Sequence, residues 1–128
     1  MNFPKIITLA ALTLSAAVAS AAEPRPYMQQ DFARLAHDGK SVVVDVSATW
    51  CPTCKAQKPI VEGLAKQAGY KDVAVLTVDF DADKAILRQF KVSAQSTLIA
   101  FKGGKEVGRS VGDTTPAGIE GLFKAASQ

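Results

Sequence analysis

The sequence predicts an α/β protein built on a mixed central sheet with helices on both faces. Three observations carry this. Two continuous apolar runs, Val42-Val43-Val44-Asp45-Val46 and Val73 to Asp79, read as central strands covered on both sides. Segments with helical spacing alternate with them. A Lys102-Gly103-Gly104-Lys105 turn then joins two later strands as an antiparallel hairpin that closes the sheet.

The fold is expected to begin after a leader. Met1 to Lys5 is basic, Ile6 to Val18 is apolar and uncharged, and Ala19-Ser20-Ala21 is a small-x-small cleavage pattern. Together they predict a signal peptide over residues 1–22, cut after Ala21 or Ala22. The apolar run is shorter than the ~20 residues that span a bilayer. No cysteine follows it, so a lipoprotein is not expected. Residues 23–128 are read as one domain, long enough to bury its own core. The formal net charge of the chain is +3. Such a weak balance argues against nucleic acid or anionic lipid as a partner.

Along the domain, Glu23-Pro24-Arg25-Pro26 is a stiff polar lead-in, and Tyr27 and Met28 are expected in a short edge strand. Asp31 is expected to cap a helix that carries Phe32, Leu35 and Ala36 on one face and stops at Asp38-Gly39. His37, the only histidine, falls in its last turn as a solvated residue. After the Val42 to Val46 strand, a helix is expected to run to about Ala68, kinked by Pro59, with Ile60, Val61, Leu64 and Ala65 as its buried stripe. Gly69-Tyr70 ends it. Asp79-Phe80-Asp81-Ala82-Asp83 has the outline of a calcium loop. Lys84 and Phe90 occupy the positions that need Gly and Glu, so a strand end followed by a helix cap is the better reading. Ala85, Ile86, Gln89 and Phe90 continue as a short helix. Thr97 to Phe101 and Glu106 to Val111 are the hairpin strands. Gly112 breaks the chain, and Thr114 or Thr115 caps a last helix with Ile119, Leu122 and Phe123 inward.

Thr49-Trp50-Cys51-Pro52-Thr53-Cys54 holds the only two cysteines and the only tryptophan. A disulfide across two residues closes a tiny loop and constrains little, so an active dithiol is the better reading. Cys51 falls where strand gives way to helix. Unpaired N–H groups and the helix dipole there favour a thiolate. Pro52 suits the first helical position. Cys51 is therefore expected to be the exposed attacking thiol, and Cys54, one turn further in, the buried resolving thiol. Asp45, embedded in valines six residues before Cys51, is expected beneath the dithiol with a raised pKa, as the base for Cys54. A structural pairing of Asp45 with a lysine is the competing reading. Zinc is the competing reading of the cysteines, but two thiols and a distant His37 fall short of a closed site unless two chains share it.

These residues resemble the thioredoxin family over nearly all of 23–128. Val44-Asp45-Val46 is similar to its central strand with the buried acid, Trp50 to Cys54 to its active site, and Pro59 to its kink proline. Val92 to Phe101, Gly103-Gly104 and Gly112 follow its last strands. The resemblance implies a thioredoxin-like fold and a thiol–disulfide oxidoreductase. It places substrate contacts at Trp50, Pro52, Thr53, Gln95 and Ser96, and needs no cofactor beyond the Cys51–Cys54 disulfide. Trp-Cys-Pro-Thr-Cys is also a form used by periplasmic reductants of cytochrome c maturation. Three positions depart from the pattern. Ser96 stands where the family has a cis-proline, and a trans bond is expected before it. Its hydroxyl can hydrogen-bond a thiolate, or the change is loop drift. Ser47 replaces an aromatic residue, and Thr77 replaces a lysine near the buried acid.

Pro52-Thr53 brings no charge to the thiolate, which points to a protein-disulfide reductase nearer the −270 mV end of the range of about −120 to −270 mV. The implied setting is periplasmic and monomeric. Protein disulfides are the implied substrates, and a membrane transporter of the DsbD or CcdA type the implied electron donor. A metal- or cluster-binding thioredoxin fold, encouraged by Ser96, and a redox-quiet binding module are the alternatives.

Overall fold

The computed structural model describes residues 23–128, and the expected signal peptide, residues 1–22, lies outside the described residues. The elements are β1 (Arg25–Pro26), α1 (Gln29–His37), β2 (Ser41–Ser47), α2 (Pro52–Ala65), β3 (Ala74–Asp79), α3 (Lys84–Gln89), β4 (Thr97–Lys102), β5 (Lys105–Val111) and α4 (Pro116–Ser127). A 3-10 turn, Ala68–Tyr70, follows α2. One five-stranded sheet has the order β1-β3-β2-β4-β5. β1 and β2 run parallel to β3, while β4 is antiparallel to both β2 and β5. The predicted architecture is the observed one.

Alternation along the central strands creates two cores. Val43, Val75, Leu98 and Ala100 face α2 and α4, and meet Val61, Leu64, Ile119 and Phe123. Val42, Val44, Val46, Leu76, Ile99 and Phe101 face α1 and α3, and meet Phe32, Leu35 and Leu87. Because side chains alternate with period two, Asp45 must share a face with Val43. The carboxyl therefore points toward α2, the helix that carries both cysteines.

Local expectations fail in three places. The edge strand is Arg25–Pro26, ahead of Tyr27 and Met28; Tyr27 donates its backbone N–H to the Thr77 carbonyl and turns its ring into the aromatic cluster. Asp31 does not cap α1, whose N-cap is Met28 without a side-chain bond. Asp31 accepts instead from Arg25 (2.7 Å) and Arg34 (2.6 Å), tying β1 to α1. The active-site helix ends at Ala65, short of Ala68. The hairpin turn is as expected, with Gly103 and Gly104 at φ +57° and +80°. Thr115, one of the two candidates, caps α4 by accepting from the Gly118 N–H.

Candidate functional site

Cys51 is the N-cap of α2, and Pro52 its first residue. Cys51 and Cys54 are joined as a disulfide with Cα atoms 5.3 Å apart. The Cys54 backbone N–H donates to Cys51 Sγ at 3.1 Å, one of the helix-end donors that has no helical partner. A second polar group converges from the loop before β4. Ser96 Oγ lies 3.2 Å from Cys51 Sγ and 3.1 Å from Cys54 Sγ.

Ser96 is held there against its own backbone preference. Its φ is +61°, in the left-handed region that costs a non-glycine residue about 1 kcal/mol or more. Three hydrogen bonds fix the conformation. The Ser96 N–H donates to the Val46 carbonyl at 2.9 Å, and its own carbonyl accepts from the Gly112 N–H at 3.0 Å and from Gln57 Nε2 at 3.2 Å. The peptide before Ser96 is trans, as expected. Gln57 Nε2 also donates to the Asp113 carbonyl at 2.9 Å, so one buried amide clips two loops to α2. Sequence reasoning missed Gln57. The signal was available: 57, 61 and 64 share a helix face, and a glutamine on that apolar stripe needs polar partners.

The structure corrects the expected exposure of the two thiols. Cys51 is 1% exposed and Cys54 7% exposed, so the predicted attacking thiol is the more enclosed of the pair in the disulfide form. Ala48 and Phe80 pack around the disulfide, and the Ser96 hydroxyl covers it. Trp50, in contrast, is 55% exposed, and its Nε1–H donates to Asp81 Oδ2 at 2.8 Å. Asp81 was not foreseen as a site residue. It is held in a loop braced by side chains, in which Asp79 Oδ1 accepts from the Asp81 and Ala82 N–H groups. Asp83 Oδ2 accepts from the Asp79 N–H and does not cap α3 through its side chain. Pro52 is exposed, and Thr53 and Gln95 are half-buried. All five predicted substrate-contact positions belong to the two segments that carry or cover the disulfide.

Asp45 and Cys54 line one cleft of about 530 Å³. Ser47 and Thr77, the two other departures, line it as well. Thr77 is the register partner of Asp45 on β3. Burial pushes the Asp45 carboxyl up to about 6, and the Lys58 ammonium acts against this. The cation beside the acid is thus supplied by α2, not by β3. Lys58 also pairs with Glu62 at 3.8 Å. His37 is exposed in the last turn of α1, beside Asp38 and away from the dithiol. Among the described residues no group of three or more His, Cys, Asp and Glu side chains is placed to hold a metal ion.

The thioredoxin family model matches residues 25–125. The chain is 45% identical over 86 residues to Thioredoxin-2 of Saccharomyces cerevisiae, covering 67% of this chain and 80% of the yeast protein. It is 49% identical over 71 residues to a thioredoxin of Chlamydia muridarum, covering 56% of this chain and 68% of that one. Among solved structures it is similar to Trxlp from Edwardsiella tarda, with a TM-score of 0.76 and 42% identity over 79% of this chain and 98% of that chain.

Proposed function

Because the chain belongs to the thioredoxin family, whose members are thiol–disulfide oxidoreductases that need no cofactor, we propose that it reduces disulfides of partner proteins through Cys51 and Cys54. The observation that carries this reading is the convergence of the Cys54 amide and the Ser96 hydroxyl on Cys51 Sγ. Both can donate to a thiolate there, and hydrogen bonds to an anion lower its pKa. Reduced Cys51 attacks a partner disulfide and expels one partner sulfur as a thiolate, leaving a mixed disulfide at Cys51. Cys54 loses its proton to Asp45 and attacks Cys51 Sγ, which releases the second partner sulfur and restores the disulfide. Asp45 suits the proton step because its pKa, near 6, lies close to neutral pH.

The oxidised site hides Cys51, so a partner must meet it after reduction and beside the exposed Trp50 ring. Pro52-Thr53 brings no charge to the thiolate, and one neutral hydroxyl stabilises it less than a charged histidine would. This supports a reductant over an oxidase. Turnover of insulin with dithiothreitol tests the activity. Trapping partners on Cys54→Ser tests the assignment of Cys51, since mixed disulfides should accumulate there and disappear in Cys51→Ser.

We further infer that the protein works outside the cytoplasm, in the periplasm, and draws electrons from a membrane transporter of the DsbD or CcdA type. The leader-like pattern of residues 1–22 supports export. An exported reductant then needs electrons from across the membrane. Amino-terminal sequencing of the mature protein, with alkylation trapping of Cys51 and Cys54 in cells, tests both points. A retained leader would end the export reading, and a dithiol found fully oxidised at steady state would end the reductase reading.

A further inference from the structure

The cleft beside the disulfide touches Cys54 and not Cys51. Cys54 is also the less enclosed of the two, at 7% against 1%. A small nucleophile in this cleft therefore meets the disulfide from the Cys54 end. Its volume, about 530 Å³, falls within the ~300–1,000 Å³ typical of small-molecule sites. The walls mix apolar surface from Pro24, Ala48 and Val61 with groups of both charges, Lys55 and Lys58 against Asp45 and Glu62, and with Ser47 at the end of β2. A ligand carrying both charges suits such a lining better than a simple anion or an apolar molecule.

Thiol–disulfide chemistry favours the same end. The sulfur that leaves as the more stable thiolate leaves faster. Here that sulfur is Cys51, which alone receives the Cys54 N–H, at 3.1 Å, while the Ser96 hydroxyl reaches both sulfurs and favours neither. Attack on Cys54 with Cys51 leaving is thus the electronically preferred direction, and the cleft opens it sterically. We propose that this cleft admits a low-molecular-weight thiol of the amino-acid type, such as cysteine or glutathione, which reduces the disulfide by attack at Cys54. The inference rests on the redox-active reading of the dithiol. It adds a small-molecule entrance separate from the face at which protein partners meet Cys51.

The step balances as follows. The small thiolate forms a bond to Cys54 Sγ while the Cys51–Cys54 bond breaks, and the electron pair goes to Cys51 Sγ. A second small thiolate attacks the outer sulfur of the adduct, which forms the small-molecule disulfide and releases Cys54 as a thiolate. The two protons lost by the small thiols end on the protein dithiol. Two thiols are oxidised to one disulfide, and one protein disulfide is reduced.

The test uses the oxidised protein and reduced glutathione, quenched with N-ethylmaleimide. Fragment-ion mass spectrometry of the peptide carrying both cysteines locates the adduct. Glutathione on Cys54 with N-ethylmaleimide on Cys51 is expected in at least tenfold excess over the reverse. Ser47→Trp and the smaller filler Ser47→Leu should close the cleft. Each variant that keeps the wild-type far-UV spectrum should lose disulfide to glutathione at least tenfold more slowly. An adduct mainly on Cys51, or a folded, filled variant reduced at the wild-type rate, overturns the proposal. A protein that turns over insulin yet carries glutathione on Cys51 keeps the oxidoreductase reading and loses this one.

Discussion

Ser96 Oγ sits within 3.2 Å of both sulfurs, so one hydroxyl can follow negative charge from Cys51 to Cys54 during the proposed cycle. A hydrogen bond to a charged group contributes about 1.5–3 kcal/mol, and about 1.4 kcal/mol corresponds to 30 mV in a two-electron couple. Ser96→Ala should therefore raise the Cys51 pKa and lower the reduction potential by roughly 30 mV, measured by pH-dependent alkylation and by equilibration with glutathione. Gln57→Leu should shift both in the same direction by less, because Gln57 acts on the sulfurs only by holding the Ser96 carbonyl. Ser96→Pro is not a simple return to the family pattern. Proline cannot adopt φ +61° and removes the N–H that Val46 accepts. Asp45 gives a prediction with a definite sign. Its folded pKa, about 6, lies above the ordinary 3.8. The folded state then holds that proton more tightly, so stability falls as pH rises from about 4 to about 6 and levels off above. Asp45→Asn should stabilise the protein by about 2–3 kcal/mol at pH 7 and by almost nothing at pH 3.5, read from denaturant midpoints. The same variant should slow the resolving step, read by single-turnover reduction of a disulfide substrate. The placement of Asp45 in one cleft with Cys54 was legible because an acid among valines and two thiols before a helix are local signals. Gln57 and Asp81 were not, since each acts through a contact 31 to 56 residues away in the chain.

Elements were read most reliably where one residue type is required. The β4–β5 turn needs two residues at positive φ, and Gly103-Gly104 supplies them. Gly104 has a second constraint, because a Cβ there would sit 2.9 Å from Ala36 Cβ on α1. Gly104→Ala should cost about 1–2 kcal/mol from the backbone alone, and more from the forced shift of α1. Gly121→Ala, in α4 with open space around it, should instead gain about 0.5–1 kcal/mol. Thermal denaturation of both variants checks the pair, and equal effects would refute the geometric argument. β1 and the start of α1 were misread for the converse reason. A two-residue parallel strand has no side-chain pattern of its own and exists only by pairing Arg25 and Pro26 with Leu76 and Thr77. Asp31 has the chemistry of a cap, but Arg25 and Arg34 claim both of its oxygens.

At the scale of the molecule, β2 and β4 serve as a common wall. Alternate residues of each strand belong to opposite cores, as Val43 and Val44 do, and Leu98 and Ile99. Neither core can open without exposing the other face of the same strands. Phe123→Ala and Phe101→Ala, one in each core, should each cost about 3–5 kcal/mol. Both should lower one cooperative transition seen identically by far-UV circular dichroism and by Trp50 fluorescence. Separate transitions for the two cores would contradict the shared wall. The alternation of strand and helix, with a hairpin last, was enough to foresee this layering. The strand order was not legible, because it depends on how crossovers pack rather than on any single segment.

The two margins of the sheet differ in how they are closed, and this bears on behaviour in concentrated solution. Pro26 within β1, and Pro24 just before it, lack the N–H that an incoming strand would use. β5 is longer, but it exposes Lys105, Glu106 and Arg109, and the Arg109 guanidinium is anchored to Glu106 and to the Phe90 carbonyl. An irregularity at Ala100/Phe101 also interrupts its pairing with β4. Neither margin is a flat template on which a second chain can polymerise. Light scattering should therefore stay proportional to concentration into the millimolar range, without the upward curvature of strand-to-strand aggregation.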